Sequence, residues 1–345
     1  MQKHTISRDD AIYEAFPDVV LTASNKLVCV FAECTHHRDR GYTRVMLTDS
    51  HDRGQTWSPK RPLGAASHGL PYYNCPRLTA LRDGRLALMV DTIGAWKERQ
   101  LEDCLNWLYL SEDEGATWTK PLATPARGIV PDKLIELDSG RWIISCHWMD
   151  PAVGNLVQRL WYTDDQGGSW SEPVIVGRQE GLNLCEGSLL PLGDGAIACF
   201  LRENSGLGRD AYKVLSSDGG ESWSEPIRFP LPGCHRPVAG WLQNGQALIT
   251  HRYMQGGDGW VGYWTQNVFA ALTDRESVLA LRRNGARTRI LPLDYDRSPE
   301  SDLGYTGWVQ FDDGEIYVVN YIMDDAPKAQ IRGYSLSMDD LLIES

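Results

Sequence analysis

The chain has no run of lysines or arginines, no Cys-x-x-Cys spacing, and no apolar stretch near the ~18 residues that cross a bilayer as a helix. With 34 Lys and Arg against 46 Asp and Glu, the net charge is −12, which argues against nucleic acid or an anionic membrane as partner, since both attract basic patches. The opening "MQKHTISRDDAIYEAF" lacks the apolar segment of a secretory leader, so a cytoplasmic location is expected. Eight cysteines, at 29, 34, 75, 104, 146, 185, 199 and 234, lie scattered, several inside apolar runs such as "KLVCVF" and "AIACFL". That suits small buried apolar residues in a reducing compartment, with neither disulfides nor a thiolate metal site.

What is present is turn formers and aromatics. The 345 residues include 33 Gly, 18 Pro, 13 Trp and 14 Tyr, a balance that predicts an all-β protein. The length exceeds the common domain range of roughly 100 to 200 residues, but closed β folds run larger as one unit, so a single domain over residues 1–345 is expected.

An eight-residue pattern occurs four times: "SHDRGQTW" at 50–57, "SEDEGATW" at 111–118, "TDDQGGSW" at 163–170 and "SSDGGESW" at 216–223. Its chemistry is that of a tight corner. Asp52, Asp113, Asp165 and Asp218 can accept hydrogen bonds within their own turns, the glycine two residues on supplies a conformation other residues resist, and the tryptophan plugs the turn from below. No copy carries the acidic pattern of a calcium loop. "LTDRESV" at 272–278 reads as a decayed fifth copy.

A second repeat runs out of phase with the first. Six apolar runs are each broken by a polar turn at Asn25, Gly84, Gly140, Gly195, Gly245 and Gly314, spaced by 59, 56, 55, 50 and 69 residues. Each turn joins two strand-like segments, and repetition on this scale predicts a six-bladed β-propeller of four-stranded antiparallel blades. In the first four blades the Asp-containing corner follows 21 to 27 residues after the turn, where it would close the outer hairpin.

In a propeller, residues just before each innermost strand converge on one face. Nine residues before the turns stand Phe16, Cys75, Pro131, Glu186, Arg236 and Tyr305, with Asp18, Asn74, Asp132, His235 and Gly304 beside them; seven residues after stand Ala32, Asp91, His147, Arg202, Arg252 and Tyr321. Such a ring of polar and ionisable types predicts a ligand site. His36 and His37 have no third ligand spaced to join them, so no metal and no cofactor is expected, and His37 is read as a possible sugar contact.

The four corners resemble the Asp-box, or BNR, repeats of the sialidase superfamily, and the six-blade layout covers about residues 12 to 340. Within it, "CEGSLLPLGDGAIACFLR" is similar to the segment with a glutamate base and, sixteen residues on, a substrate arginine, which implies those roles for Glu186 and Arg202. "GYTGWVQFDDGEIYVVNY" resembles the segment of the tyrosine nucleophile, implying Tyr305, and Asp39, eleven residues before Ser50, matches the acid/base aspartate. Arg252 matches a further substrate arginine. The family's Arg-Ile-Pro before the first inner strand is replaced by Ala15, Phe16 and Pro17, so one arm of the arginine triad that grips a sugar carboxylate is missing.

A sugar with a carboxylate on its anomeric carbon repels an anionic nucleophile, whereas a phenol deprotonated by a neighbouring glutamate avoids that repulsion. The resemblance therefore implies an exo-acting glycoside hydrolase for a terminal acidic sugar, with Tyr305 and Glu186 as nucleophile and base and Asp39 as acid/base. The expected substrate contacts are Arg202, Arg252, His37, Asp132, His235 and Arg236. Two alternatives stand beside it: a related hydrolase or lyase for another sugar, favoured by Ala15, and a non-catalytic glycan-binding propeller.

Overall fold

The structure is a computed structural model that describes residues 1–94, 101–254 and 266–341. Its strands form six antiparallel sheets, the blades of a six-bladed β-propeller fold. Blade 1 begins with Tyr13–Leu21 and Leu27–Cys34, blade 2 has Arg77–Ala80 and Leu86–Ile93, blade 3 begins with Ile135–Glu136 and Trp142–Asp150, blade 4 with Leu184–Gly193 and Ala196–Glu203, blade 5 with Cys234–Trp241 and Ala247–Met254, and blade 6 with Leu303–Gln310 and Ile316–Ile322. All six predicted turn positions have positive φ, between 61° at Asn25 and 91° at Gly314, which is the conformation a tight hairpin demands.

Blade 6 departs from the expected build. Only one strand, Gln330–Leu336, follows its hairpin, and the fourth is Gln2–Ser7 from the other end of the chain, pairing Gln2 with Ser335 and Thr5 with Arg332. The polar "QKHTIS" gives a weak strand signal because it packs at a sheet edge, largely exposed. The fourth strand of the last blade is thus remote in sequence from the other three.

The four corners form as expected. In the second, Asp113 accepts from the Ser111 hydroxyl at 2.8 Å, the Thr117 N–H at 2.8 Å and the Thr117 hydroxyl at 2.6 Å, while the Trp118 indole donates to the Gly115 carbonyl at 3.1 Å. The expected fifth copy is different: Asp274 caps the N-terminus of a five-residue helix, Arg275–Leu279, accepting from the Ser277 N–H at 2.7 Å. Without the glycine and tryptophan of the pattern, the aspartate caps a helical turn instead. Lys213, fully buried, donates to the Ser277 carbonyl of this helix at 2.8 Å.

The chain divides into two compact units, residues 1–123 with 295–345 and residues 124–294. In the first, Val28, Val30 and Leu47 of blade 1 pack against Leu78, Leu88 and Val90 of blade 2. In the second, Ile143 and Leu160 of blade 3 pack on Leu189 and Ile197 of blade 4, and Leu190 and Phe200 of blade 4 on Ala247 and Ile249 of blade 5. Side chains also stitch the first strands together: Asp18 accepts the Leu78 N–H at 2.9 Å, Asp132 the Leu189 N–H at 2.7 Å, and the Ser188 hydroxyl the Ala239 N–H at 3.0 Å. A buried carboxylate that receives a backbone N–H satisfies two groups that would each be costly alone. All eight cysteines are free and buried.

Candidate functional site

The first strands of blades 1, 4, 5 and 6 share an irregularity at the positions singled out by repeat phase. Register slips between Ala15 and Asp18, Cys185 and Ser188, His235 and Val238, and Leu303 and Thr306. At each slip a residue takes positive φ: Phe16 at 59°, Glu186 at 48°, Arg236 at 51° and Gly304 at 99°. Three of these are not glycine, and such strain concentrates where a bulge re-aims a side chain for function.

In the second unit, Glu186 is the centre. Its buried carboxylate accepts from Arg202 at 2.7 Å, its N–H donates to His147 Nδ1 at 3.3 Å, and the Gly187 N–H donates to Gln158 at 3.1 Å. Burial alone would raise the Glu186 pKa, but the guanidinium of Arg202, with His147 and Arg252, outweighs it and holds the carboxyl at about 2. His147 is pushed down to about 4, chiefly by burial, so its imidazole is neutral and Nδ1 is free to accept. Arg252 lies beside His235 with 3.4 Å between Nη2 and Nδ1, and burial with the two arginines Arg202 and Arg252 takes the His235 pKa well below its ordinary value. Arg202, Asn204 and His235 line a cavity of about 100 Å³.

Two expected contacts in this unit have structural partners. Asp132 is 2 % exposed and bonded to the Leu189 N–H, and Arg236 is fully buried and donates to the Pro131 carbonyl at 2.6 Å.

In the first unit, Tyr305 is buried against Phe16 and Tyr321, with ring centroids 5.2 and 6.3 Å away. Phe16 also meets the His37 ring edge-on at 5.2 Å. His37 Nδ1 bonds the carboxylate of Asp302, which also accepts from the hydroxyls of Tyr13 and, at 2.7 Å, Tyr321. A carboxylate accepts only, so Nδ1 carries the hydrogen and Nε2 of a neutral His37 is an acceptor. Burial, with Asp302 alongside, raises the Tyr13 pKa far above its ordinary value and keeps it a donor. Sequence reasoning missed Asp302; its position three residues before Tyr305 is a signal only once the strand is known to start there.

The loop carrying His37 borders an open cavity of about 610 Å³, lined also by Arg38, Asp39, Arg40, Leu70 and Tyr72. Asp39 is exposed, and its carboxylate accepts the Gly41 N–H at 3.0 Å, closing its own turn. Ala15 is fully buried. In the first unit His37 and Asp39 border one cavity and Phe16 touches both His37 and Tyr305, while the second gathers Glu186, Arg202, Arg252 and His235.

The fold has close solved counterparts. A protein of unknown function from Dyadobacter fermentans matches at a TM-score of 0.77 with 20% identity over 98% of both chains. The Hadza microbial sialidase Hz136 matches at 0.69 with 17% identity over 94% of this chain and 66% of its own. The Penicillium chrysogenum alpha-L-arabinanase, complexed with arabinobiose, matches at 0.66 with 16% identity over 99% of both. At these identities the likeness is one of fold. No curated protein matches the sequence. The BNR repeat-like domain matches residues 71–318, more than half of the chain and inclusive of three of the four Asp-containing corners, and on that match the chain belongs to the BNR repeat-like domain family.

Proposed function

We propose that this protein is an exo-acting glycoside hydrolase that removes a terminal acidic sugar. The observation that carries the reading is the Glu186–Arg202 pair, an ionised, buried carboxylate on strained backbone with a partly buried guanidinium 2.7 Å away. That a sialidase and an arabinanase share the fold supports a carbohydrate ligand and a glycosidase chemistry.

The resemblance of their segments assigns Tyr305 as nucleophile and Glu186 as its proton acceptor. The phenolic oxygen attacks the anomeric carbon, its proton passes to Glu186, and the glycosidic C–O bond breaks as Asp39 protonates the leaving oxygen. Water, deprotonated by Asp39, then releases the sugar from the tyrosine. At about 2, Glu186 is a weak base in the resting enzyme. A substrate carboxylate that takes the Arg202 guanidinium removes the partner that holds it down, so proton affinity rises when an acidic sugar binds. Catalysis and substrate charge are coupled by this exchange. Arg252, His235 and His37 serve as further substrate contacts, and Asp132 and Arg236 hold the strand heads that present them.

The test is turnover of aryl glycosides of sialic acid, uronic acids and neutral sugars. Cleavage confined to acidic glycosides is expected. A second reading, a hydrolase for a neutral sugar, is favoured by the buried Ala15 in place of a carboxylate-binding arginine; cleavage of neutral glycosides alone would establish it instead. No cleavage of any glycoside, with sugars still bound, would leave a binding propeller.

A further inference from the structure

Arg40 is a buried cation that forms no ion pair among the described residues. It is 8% exposed, and among the described residues its side chain makes one hydrogen bond, from Nε to the His37 carbonyl at 3.0 Å. Two aromatic rings lie against it, with Cζ 5.0 Å from the centroid of Phe16 and 5.5 Å from that of Tyr72. Nη1 is buried with no acceptor. The carboxylates of the neighbourhood are committed elsewhere: Asp302 to Tyr13, His37 and Tyr321, and Asp39 to the Gly41 N–H. Neither forms an ion pair with Arg40.

A guanidinium so placed is expensive, because ring contacts repay only part of the cost of taking a charge out of water. Three other arginines of this unit show the usual solution: Arg77 lies 3.4 Å from Asp18, Arg61 pairs with Asp49, and Arg332 with Asp324. With two rings against the guanidinium and Nε on a carbonyl, the terminal nitrogens are what Arg40 has left, and the residue lines the cavity of about 610 Å³. Arg38 lines the same cavity. Burial raises the Tyr72 pKa to about 12, so its hydroxyl stays neutral.

We propose that Arg40 is an anion-binding residue, and that its ligand is a carboxylate carried by a sugar bound in this cavity. The identity of the ligand rests on the acidic-sugar reading above; the anion site itself does not.

The experiment measures affinity and melting temperature for the wild type, Arg40→Met and Arg40→Lys with acetate, glucuronate and N-acetylneuraminate as carboxylate probes and glucose as the neutral control. Arg40→Met, which keeps an apolar stem against the two rings, should lose at least ~10-fold in affinity for the carboxylates and none for glucose. Arg40→Lys should fall between, since an ammonium lacks the planar fork, and it keeps the charge should the methionine variant fail to fold. Ligand-free Arg40→Met should melt no lower than the wild type, because the unpaired charge is gone. Equal carboxylate affinity in the wild type and both variants would overturn the site. Cleavage of an acidic glycoside with the same KM by wild type and Arg40→Met would overturn the site and leave the glycosidase reading standing. Arg40-dependent carboxylate binding in an enzyme that cleaves neutral glycosides alone would leave the site standing and remove the acidic-sugar reading.

Discussion

Breaking the buried pair of Glu186 and Arg202 has two separable consequences. Glu186→Gln removes the carboxylate charge that faces the partly buried Arg202, so the protein should melt lower, and turnover should fall as well. Tyr305→Phe keeps the ring against Phe16 and Tyr321 and removes the oxygen alone. Its melting temperature should hardly move while kcat falls roughly 10³-fold or more, and the double variant should be scarcely slower than either single one, because groups acting as one unit are not additive. Kinetics below the melting point of the weakest variant check both. Near-normal turnover by Tyr305→Phe would rule out a covalent tyrosine intermediate. At this scale the sequence placed Glu186 and Tyr305 by repeat phase, since equal spacing from a turn fixes equal places along a strand. It could not place Asp302 or Arg40, whose roles come from groups that meet them across loops: Tyr13 and His37 for one, Phe16 and Tyr72 for the other.

Two glycines show how much an element's surroundings add to its own geometry. Gly84, in the hairpin turn of blade 2, has φ of 89° and open space where a Cβ would go. Gly54, in the first Asp-containing corner, has φ of 82°, and a Cβ there would meet the Tyr317 ring of blade 6 at 2.2 Å. Tyr317 also donates to the Gly54 carbonyl at 2.9 Å. Both alanine variants carry the strain of positive φ, about 1 kcal/mol or somewhat more, but only Gly54→Ala must also displace a buried aromatic. Chemical denaturation should give a loss for Gly54→Ala about 2 kcal/mol or more beyond that for Gly84→Ala. Equal losses would show that the corner yields without disturbing Tyr317. The need for glycine in the corner is legible in the repeat; the packing that makes one copy less tolerant is not, because Tyr317 lies 263 residues away.

The molecule as a whole should be acid-sensitive over a window set by two kinds of group. Burial holds His147 and His251 at about 4, below the ordinary histidine value, so the unfolded chain binds more protons and stability falls as pH drops from about 6.5 through 4. Hydrogen bonds within their turns hold Asp52, Asp113 and Asp165 at about 2; in Asp218 burial opposes them and is outweighed, with the same result. Their contribution is present above the unfolded value near 3.8 and is lost as pH falls from there toward 2; these carboxylates are exposed, so water and salt keep each share small. The melting temperature should therefore be level above pH 7 and fall in two overlapping stages below it. A constant value between pH 6.5 and 4 would show that the two buried histidines take up protons without cost to the fold.

The sequence by itself determined the number of blades, the six hairpins and the four corners, because turn chemistry and strand alternation are local and each copy repeats them. It determined the family as well, since the corner motif lies whole within eight residues. Tertiary structure alone decided that blade 6 takes its fourth strand from Gln2–Ser7, that Asp274 caps a helix, that Asp132 and Asp18 join neighbouring strands, and that Arg40 stands among rings with no ion pair to a described residue. The physical reason is common to all four. Each depends on what arrives from a distant part of the chain to pair with an edge, fill a turn or satisfy a charge, and no residue carries a record of its partners in the letters beside it.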